Sequence, residues 1–492
     1  MRFRLILLVL FGINIGIYAQ EMAGLAHSNH AGTDVLFFNP AGMHHQKDWL
    51  SIHVITGDFF FSNNYAYIKK QDFKSLRKGN GLPMHETGYS QSQRPFYIYD
   101  KGGNTRMDMH IKLQGPAFMY IYNEHAFSIF SAARAVFLMK DMTPDMGNLL
   151  YYGFDYDPQH NKKYNIDHFK GSMLAWGEVG FAYAYQYNQR LFSNWNFGVS
   201  IRKLYGGGGS YLYVDNADYN LLDSKTLELT SLQADMGFSM PVDYNNEDLL
   251  LDPLIKGKGW GFDIGFEYQA LIKRQGKFMD EKVCGQKYNN YKYRWGISLM
   301  DIGSIKFTSN AQLHHYGDTQ YTWERIDTTH YESWNGLIRE VSTRLYGEPT
   351  ATLKATSFTM WLPMSLNASF DYNFENKFYL NTALVLNAPL FNGNYVPRPS
   401  ILSVTPRYET RNFEAALPLS IYQWQYPRVG LALRFYYFTI GSDYLTSLLG
   451  FHDFNGTDIY FSLKMNIEKG SCKKRRRIGP CGTPERNFPW SK

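Results

Sequence analysis

The stretch "TDIYFSLKMNI", Thr457 to Ile467, alternates polar and apolar side chains with a period of two. Because successive side chains of a β-strand point to opposite sides, this pattern predicts a strand with one apolar and one polar face. The apolar face would carry Ile459, Phe461, Leu463, Met465 and Ile467, and the polar face Asp458, Tyr460, Ser462, Lys464 and Asn466.

The same alternation recurs in "DMHIKLQGPAFMYIYN" (108–123), "EVGFAYAYQYNQ" (178–189), "NFGVSIRKLY" (196–205), "GWGFDIGFEYQ" (259–269) and "SFTMWLPMSLNASFDY" (357–372). The first of these segments is predicted to place Met109, Ile111, Leu113, Ala117, Met119 and Ile121 on one face. Such runs are longer than the usual five or six residues of soluble strands and suit a tilted crossing of a bilayer, which takes about 9–11 residues.

The second face of these strands is small or charged, which is typical of a water-filled lumen rather than of a sandwich core. The predicted lumen-facing polar residues are Glu178, Arg202, Asp263, Glu267 and Arg294. Charges of this kind usually pair across a barrel or hold a plug, and they can also line a solute path. The glycines on the same face, Gly180, Gly265 and Gly296, are expected to bend strands or to make space.

Short connections alternate with long polar ones along the chain, as in outer-membrane barrels. Counting with this parity gives about 14 strands between Trp49 and Ile467, with both ends on the periplasmic side. The predicted fold class is therefore all-β: a transmembrane antiparallel β-barrel of about 14 strands with an N-terminal lumenal hatch. A soluble sandwich or propeller is the alternative, but no repeat of propeller length is visible. An open sheet edge is also excluded from hydrocarbon.

Composition and charge agree with an exported barrel. Aromatic residues make up 17% of the 492 residues, and the formal net charge is +6. The start "MRFRLILLVLFGINIGIYAQ" has the basic, apolar and small-residue regions of a secretory signal. The predicted segments are a signal peptide (1–19), a hatch (20–48), a barrel with long extracellular loops (49–467) and a basic periplasmic tail (468–492).

The tail holds most of the positive charge, so the body of the chain offers no basic surface for nucleic acid. Its basic run comprises Lys473, Lys474, Arg475, Arg476 and Arg477. Cys472 and Cys481 bracket this run and can form a disulfide in an oxidising compartment, while the third cysteine is Cys284. The run suits docking onto an anionic lipid or protein face, or is a solvated tail.

No catalytic, cofactor or metal site is predicted. The paired histidines at 44–45 and 314–315 lack acidic or cysteine partners at metal-ligand spacing, which indicates surface histidines. The run "GGGG", Gly206 to Gly209, lacks the lysine and hydroxyl residues of a phosphate loop. It is interpreted as a flexible linker that opens an external loop, and the chain is predicted not to be an enzyme.

The segment "AGTDVLFFNPAGM", Ala31 to Met43, is a poor wall strand because it contains a turn signal at Asn39, Pro40, Ala41 and Gly42. It lies between the signal and the first strand and is long enough to fold into the lumen as a plug. Here the chain resembles the FadL superfamily of outer-membrane barrels, in which a hatch with an Asn-Pro-Ala-Gly turn precedes the first of fourteen strands. The order "GFDIGFEYQ" then "YRWGISLMDIGSIKF" also resembles PorV-like relatives of type IX secretion and a related group of uncharacterised barrels.

Two functions from different classes follow from this resemblance. FadL-like barrels imply passive transport of hydrophobic or amphipathic small molecules. PorV-like barrels imply a non-enzymatic accessory or scaffold subunit of an outer-membrane protein secretion or assembly machine. The expected partners are outer-membrane lipid and lipopolysaccharide, and for the second function another outer-membrane barrel or surface lipoproteins. Either function places the chain in the outer membrane of a Gram-negative bacterium.

Overall fold

The computed structural model describes residues 22–86, 93–99, 105–190, 192–246, 252–272, 290–317, 319–326 and 333–468. Its strands are β1 Asp48–Asn63, β2 Ala66–Tyr67, β3 His85–Glu86, β4 Gln93–Arg94, β5 Tyr97–Ile98, β6 Thr105–Tyr122, β7 His125–Met142, β8 Lys163–Arg190, β9 Ser193–Leu221, β10 Leu227–Ser239, β11 Gly257–Leu271, β12 Tyr291–Phe307, β13 Ala311–Tyr316, β14 Tyr321–Trp323, β15 Leu353–Ala355, β16 Phe358–Trp361, β17 Ser365–Asn373, β18 Phe378–Asn387, β19 Asn394–Tyr395, β20 Ile401–Glu409, β21 Phe413–Ala416, β22 Leu419–Tyr422, β23 Tyr426–Val429, β24 Leu431–Phe435, β25 Phe438–Ser442 and β26 Gly456–Glu468.

Helices are few and short in the described part of the chain. The α-helices span Lys70–Arg77, Pro144–Tyr152, Trp334–Tyr346 and Leu445–Leu448, and the 3₁₀ helices span Gly32–Phe37, Pro40–Met43 and Asp157–Gln159. None of these helices is both long and apolar enough to cross a membrane.

The sheet closes on itself. β1 pairs antiparallel with β6 on one side and with β26 on the other. The wall continues through β7, β8, β9, β11, β12, β16–β17, β18, β20, β21–β22, β23–β24 and β25. With each interrupted strand counted once, the described residues form a 14-strand antiparallel barrel, so the predicted fold class is confirmed.

The two ends of the barrel differ in the length of their connections. Tight turns at 123–124, 374–377, 410–412 and 436–437 join successive strands at one end. The barrel also starts and finishes there, since Asp48 pairs with Glu468 and Leu50 with Tyr120. The connections at the other end are mostly long and carry all four α-helices of the described residues. The sequence predicts the same alternation of short and long connections.

The opening stretch of sequence has the two predicted faces. On β26 the side chains of Leu463 and Met465 point outward and are 40% and 49% exposed. Asp458 and Lys464 point into the lumen and are 3% and 2% exposed. Exposed apolar side chains recur on the outer face of the neighbouring strands. An outer surface of this kind requires hydrocarbon around it, whereas the inner face needs polar partners.

Two wall strands continue well past the length that a membrane needs. β8 has 28 residues and β9 has 29, and the far half of β9 pairs with β10. The prediction that 206–257 is a loop opened by a flexible glycine run is therefore wrong. Gly206 and Gly209 lie inside β9, where their missing side chains leave room for the ring of Phe307. The glycines serve close packing rather than flexibility.

Candidate functional site

The hatch, residues 22–47 in the described part of the chain, fills the lumen. From Met22 to Gln46 every residue is buried except Phe37, which is partly exposed. Two 3₁₀ helices, Gly32–Phe37 and Pro40–Met43, make the segment compact. Its backbone–backbone hydrogen bonds stay within the hatch. Side chains therefore hold the hatch in the wall, and no strand ladder has to break for it to move.

The Asn-Pro-Ala-Gly turn of the hatch lies directly against the wall. Asn39 Oδ1 accepts the backbone N–H of Ala41 at 2.9 Å and so caps the second 3₁₀ helix, which begins at Pro40. Asn39 Nδ2 donates to the carbonyl oxygen of Phe266 on β11 at 3.1 Å. The motif thus uses its amide both to form the turn and to attach it to the barrel.

Three glycines on β9, β11 and β12 form the seat on which this turn rests. A β-carbon on Gly198 would overlap backbone atoms of Pro40 and Ala41, and one on Gly265 would overlap the Asn39 side chain. A β-carbon on Gly296 would lie 2.8 Å from Asn39 Nδ2. Sequence reasoning noticed Gly265 and Gly296 but did not connect them with the hatch. The signal was glycine on the lumen face of adjacent strands.

Two of the predicted lumen-facing residues bind the hatch. Glu267 Oε2 lies 2.7 Å from His45 Nδ1. Arg294 donates to Asn29 Oδ1 at 2.9 Å and to the carbonyl oxygen of His27 at 2.7 Å, and it pairs with Asp371 at 2.6 Å. These residues hold the middle of the hatch against β11, β12 and β17.

The other three predicted lumen-facing residues meet farther along the barrel. Arg202 pairs with Glu178 at 3.1 Å, with Asp263, and with Asp301 at 2.9 Å. Sequence reasoning missed Asp301, which also accepts from Arg134 at 2.7 Å and from Arg398 at 3.1 Å. The cluster therefore brings three arginines and three carboxylates together across the lumen, where each charge is buried and compensated.

A third attachment joins the hatch to the strand that opened the sequence analysis. Lys464 Nζ lies 2.8 Å from Asp34 Oδ2 and donates to the carbonyl oxygen of Ala31 at 2.6 Å. Thr56 and Ser462 donate to the same carboxylate at 3.0 and 3.2 Å. Burial alone would raise the pKa of Asp34, but the Lys464 charge, together with His53, the hydrogen bond from Lys464 and the Lys112 charge, outweighs burial and lowers that pKa from 3.8 to about 2.

Small cavities remain between the hatch and the far end of the barrel. One has a volume of about 10 Å³, room for about one water molecule, and is lined by Phe37, Phe38, Lys112, Arg134 and Arg398 with four neighbours. A second, of about 20 Å³, shares Arg398 and His110 with it and is bounded by prolines of the 396–399 segment. Lys112 Nζ lies 4.8 Å from the centre of the Phe37 ring. The space thus offers apolar rings beside charged groups.

The remaining predicted site residues divide into two groups. Cys472, Cys481 and the basic run from Lys473 to Arg477 lie outside the described residues, as does Cys284. The prediction of surface histidines is wrong for three of the four: His44, His45 and His314 are buried. Within the described ranges, no group of three or more His, Cys, Asp or Glu side chains is arranged to hold a metal ion.

Docking of the hatch should weaken in acid, because two of its histidines are buried in a site that favours their neutral form. Burial, followed by the Arg294 charge, lowers the pKa of His27 well below 6.5 and also lowers that of His45. In an undocked hatch the two histidines would bind protons near pH 6.5. Docking is therefore strongest above that pH and weakens as the pH falls from 6.5 towards the lowered pKa values of the docked histidines. The loss is at most about 1.4 kcal/mol per pH unit for each histidine.

Hydrogen exchange of residues 22–47, corrected for the intrinsic pH dependence, measures this effect between pH 7.5 and 5. His45→Gln should reduce the dependence. His315→Gln, at an outer histidine paired with Asp235 at 2.8 Å, should leave it unchanged. Equal corrected exchange at both pH values would contradict the prediction.

Comparison with known families places the chain in one of them. The model of a family of unknown function, DUF5723, matches residues 40–443, which is most of the chain. The chain belongs to the DUF5723 family. The match begins at Pro40 in the hatch turn and includes every wall strand except β26. The DUF5723 region is therefore essentially the barrel. No curated protein sequence matches the DUF5723 chain.

Solved structures similar to the DUF5723 barrel are distant in sequence. The toluene transporter TbuX of Ralstonia pickettii is 10% identical, with a TM-score of 0.41 over 92% of this chain and 100% of that one. The toluene transporter TodX of P. putida is 9% identical, with a TM-score of 0.39 over 92% and 99%. A FadL homologue of Pseudomonas aeruginosa is 11% identical, with a TM-score of 0.36 over 92% and 99%.

Proposed function

We propose that this chain is an outer-membrane barrel through which hydrophobic or amphipathic small molecules diffuse passively when the hatch moves. The observation that carries the proposal is a lumen closed by a segment whose backbone–backbone hydrogen bonds stay within the segment, so that only side chains attach it to the wall. Such a plug can shift without opening the wall. The FadL-like position of the Asn-Pro-Ala-Gly turn supports the same function.

Once the hatch moves and enlarges the space beside it, the lining would suit an amphipathic molecule. Phe37 and Phe38 offer apolar rings, while Lys112 and Arg398 lie on the same lining. An apolar body would pack against the rings, and a polar group would face the charges. No chemical step is required of any side chain, so the proposed process is diffusion rather than catalysis.

The orientation in the membrane follows from the asymmetry of the connections. We place the tight turns and both ends of the barrel on the periplasmic side and the long connections outside, as in other outer-membrane barrels. The outer apolar face would then contact outer-membrane lipid and lipopolysaccharide. The basic run from Lys473 to Arg477 would lie in the periplasm, where Cys472 and Cys481 can form a disulfide.

A reversible lock on the hatch tests the transport proposal. A β-carbon on Gly32, whose φ is 61°, would lie 3.3 Å from Ser51 Cβ, slightly below the usual disulfide separation of about 3.5–4.5 Å, so a small shift of the hatch backbone would allow a disulfide. The variant Gly32→Cys/Ser51→Cys, with the three native cysteines replaced by serine, should therefore tether the hatch to β1. Uptake of N-phenylnaphthylamine, which intact outer membranes exclude, should be lost in oxidised cells and return on reduction. The Ser51→Cys variant alone is the control.

Uptake that is equal with the lock open and closed would contradict hatch-gated transport. The accessory function remains the second candidate because β8 and β9 extend beyond the membrane and carry a packed cluster with Val341 and Leu345 of the helix Trp334–Tyr346. This ordered extension outside the membrane would offer a contact region to a protein partner such as another barrel or a surface lipoprotein. Stoichiometric co-elution of such a partner from native membranes, with no effect of the lock, would favour the accessory function.

A further inference from the structure

One buried arginine of the lumen differs from the rest. Seven arginine side chains are buried among the described residues: Arg134, Arg202, Arg294, Arg398, Arg407, Arg428 and Arg434. Six of them have a carboxylate oxygen within 4.0 Å. Arg428, on β23, makes one side-chain hydrogen bond, from Nη2 to Ser62 Oγ at 2.8 Å, and its Nε has no acceptor among the described residues.

Three aromatic rings surround this guanidinium. Its central carbon lies 3.9 Å from the centre of the Tyr422 ring, 4.6 Å from that of Tyr444 and 4.8 Å from that of Phe60. The ring faces attract the cation but offer no acceptor to the N–H groups at its edge. Arg428 is 6% exposed, so water satisfies these donors poorly.

Two acidic side chains whose charges act on Arg428 are engaged elsewhere. Asp108 and Asp458 act on Arg428 through their charges. However, Asp108 accepts two hydrogen bonds from Arg106 at 2.6 and 2.7 Å, and Asp458 Oδ1 accepts the backbone N–H of Asp443 at 2.9 Å. A buried cation that lacks a hydrogen-bonded anion lowers stability, and a well-packed apolar side chain of similar size would do better there. Stability alone therefore does not account for arginine at this position.

The strand ladder of the wall is incomplete beside this residue. In the described structure β23 has ladder bonds only to β22, and β25 extends only from Phe438 to Ser442. β25 pairs with β26 at Tyr460–Leu463, so the far end of β26 pairs only with β1. Residues 443–455, with the helix Leu445–Leu448, cover the space between. Tyr444 belongs to this connection, so the cover over Arg428 can shift without the loss of a strand.

We propose that Arg428 is the binding residue for an oxyanion, the carboxylate or phosphate group of a small molecule that enters beside the 443–455 connection. A guanidinium donates two parallel hydrogen bonds to such a group, and Nε with one terminal nitrogen provides that edge. Phe60 and Tyr422 would contact an apolar part of the ligand next to its charged group. The site is independent of hatch movement, because its residues lie on β1, β22, β23 and the connection.

Two matched variants test the site in the purified full barrel in neutral detergent. Arg428→Met removes the unpaired cation, and Arg434→Met removes a buried arginine of the adjoining β24 that pairs with Glu414 at 3.0 Å. Without added anion, we expect the Tm of Arg428→Met to equal or exceed that of the native barrel, and the Tm of Arg434→Met to fall. Calorimetric titration with benzoate and with inorganic phosphate should show binding to the native barrel at least tenfold tighter than to Arg428→Met.

The two probes separate the sources of the oxyanion. Benzoate binding alone indicates an amphipathic carboxylate, phosphate binding alone a free phosphate, and binding of both a general oxyanion site. The proposal is overturned if neither probe binds, if Arg428→Met binds as well as the native barrel, or if it is destabilised as much as Arg434→Met. If Arg428→Met does not fold, Arg428→Lys replaces it as the test variant. Lysine keeps the positive charge but lacks Nε, so this variant should bind the anion about tenfold more weakly than the native barrel does. Unchanged binding by that variant would equally overturn the proposal.

Discussion

Gly198→Val should open the barrel, raising its ion conductance in planar bilayers by at least about fivefold. A β-carbon at this position would overlap the Ala41 nitrogen and the Pro40 carbonyl carbon, and these backbone atoms cannot rotate away as a side-chain tip would. Overpacking of this kind costs about 1–3 kcal/mol, which corresponds to roughly 5–150-fold in the population of undocked hatch. Valine favours strands, so the wall itself should tolerate the change.

Gly177→Val is the matched control because it also places valine in a long wall strand. The nearest atom to its β-carbon would be the Ala132 carbonyl oxygen at 4.0 Å, so the substitution meets no obstacle. Its conductance should equal that of the native barrel. Hydrogen exchange of 31–43 should increase only for Gly198→Val. Equal conductance of the two variants would show that the glycine seat does not hold the hatch closed.

The period-two pattern predicted the wall and its faces because lipid and lumen impose opposite polarity on alternate side chains. It failed where that constraint ends. Beyond the membrane, the outer face of β8 and β9 no longer meets hydrocarbon, and polar residues such as Asn165 and Asp218 occupy both strands. A polar segment of this kind reads as a loop in the sequence although it forms a ladder in the structure.

Bulges were the second cause of failure. The ladder between β6 and β7 shifts between Gln114 and Ala117, so Met119 and Ile121 face the hatch rather than the lipid predicted for them. In β12 the adjacent residues Met300 and Asp301 are both buried, and Asp301 has a φ of 60°. An extra residue in one strand changes which side chains point inward. Simple alternation therefore hid Asp301, the centre of the arginine cluster.

The sequence could predict which strand residues face the lumen, but not which residues of the hatch they contact. Alternation identified Glu267 and Arg294 as lumen-facing, because that requires only the strand pattern. Their partners His45 and Asn29 come from the hatch, more than two hundred residues away in the chain. Which polar groups meet across a lumen depends on the path of the plug, and a strand pattern contains no information about that path.

Asp34→Asn should weaken hatch docking by about 3–5 kcal/mol at neutral pH, because it leaves Lys464 buried without its carboxylate. Asparagine keeps the shape of the side chain, so the loss would report charge rather than packing. Hydrogen exchange of residues 22–47 at pH 7.5 measures the change. The double variant Asp34→Asn/Lys464→Met should regain much of the loss, since removing both partners of a buried pair leaves no uncompensated charge.

The dependence of docking on acid pH distinguishes this ion pair from a simple hydrogen bond. The pKa of Asp34 is lowered from 3.8 to about 2, so its contribution to docking is complete above pH 3.8 and is lost as pH falls through about 2. The difference corresponds to roughly 2 kcal/mol. Docking of the native barrel should decline over this range, whereas docking of the double variant should lack this decline. Additive effects of the single substitutions Asp34→Asn and Lys464→Met would show that the carboxylate and Lys464 act separately, which would contradict a coupled ion pair between hatch and wall.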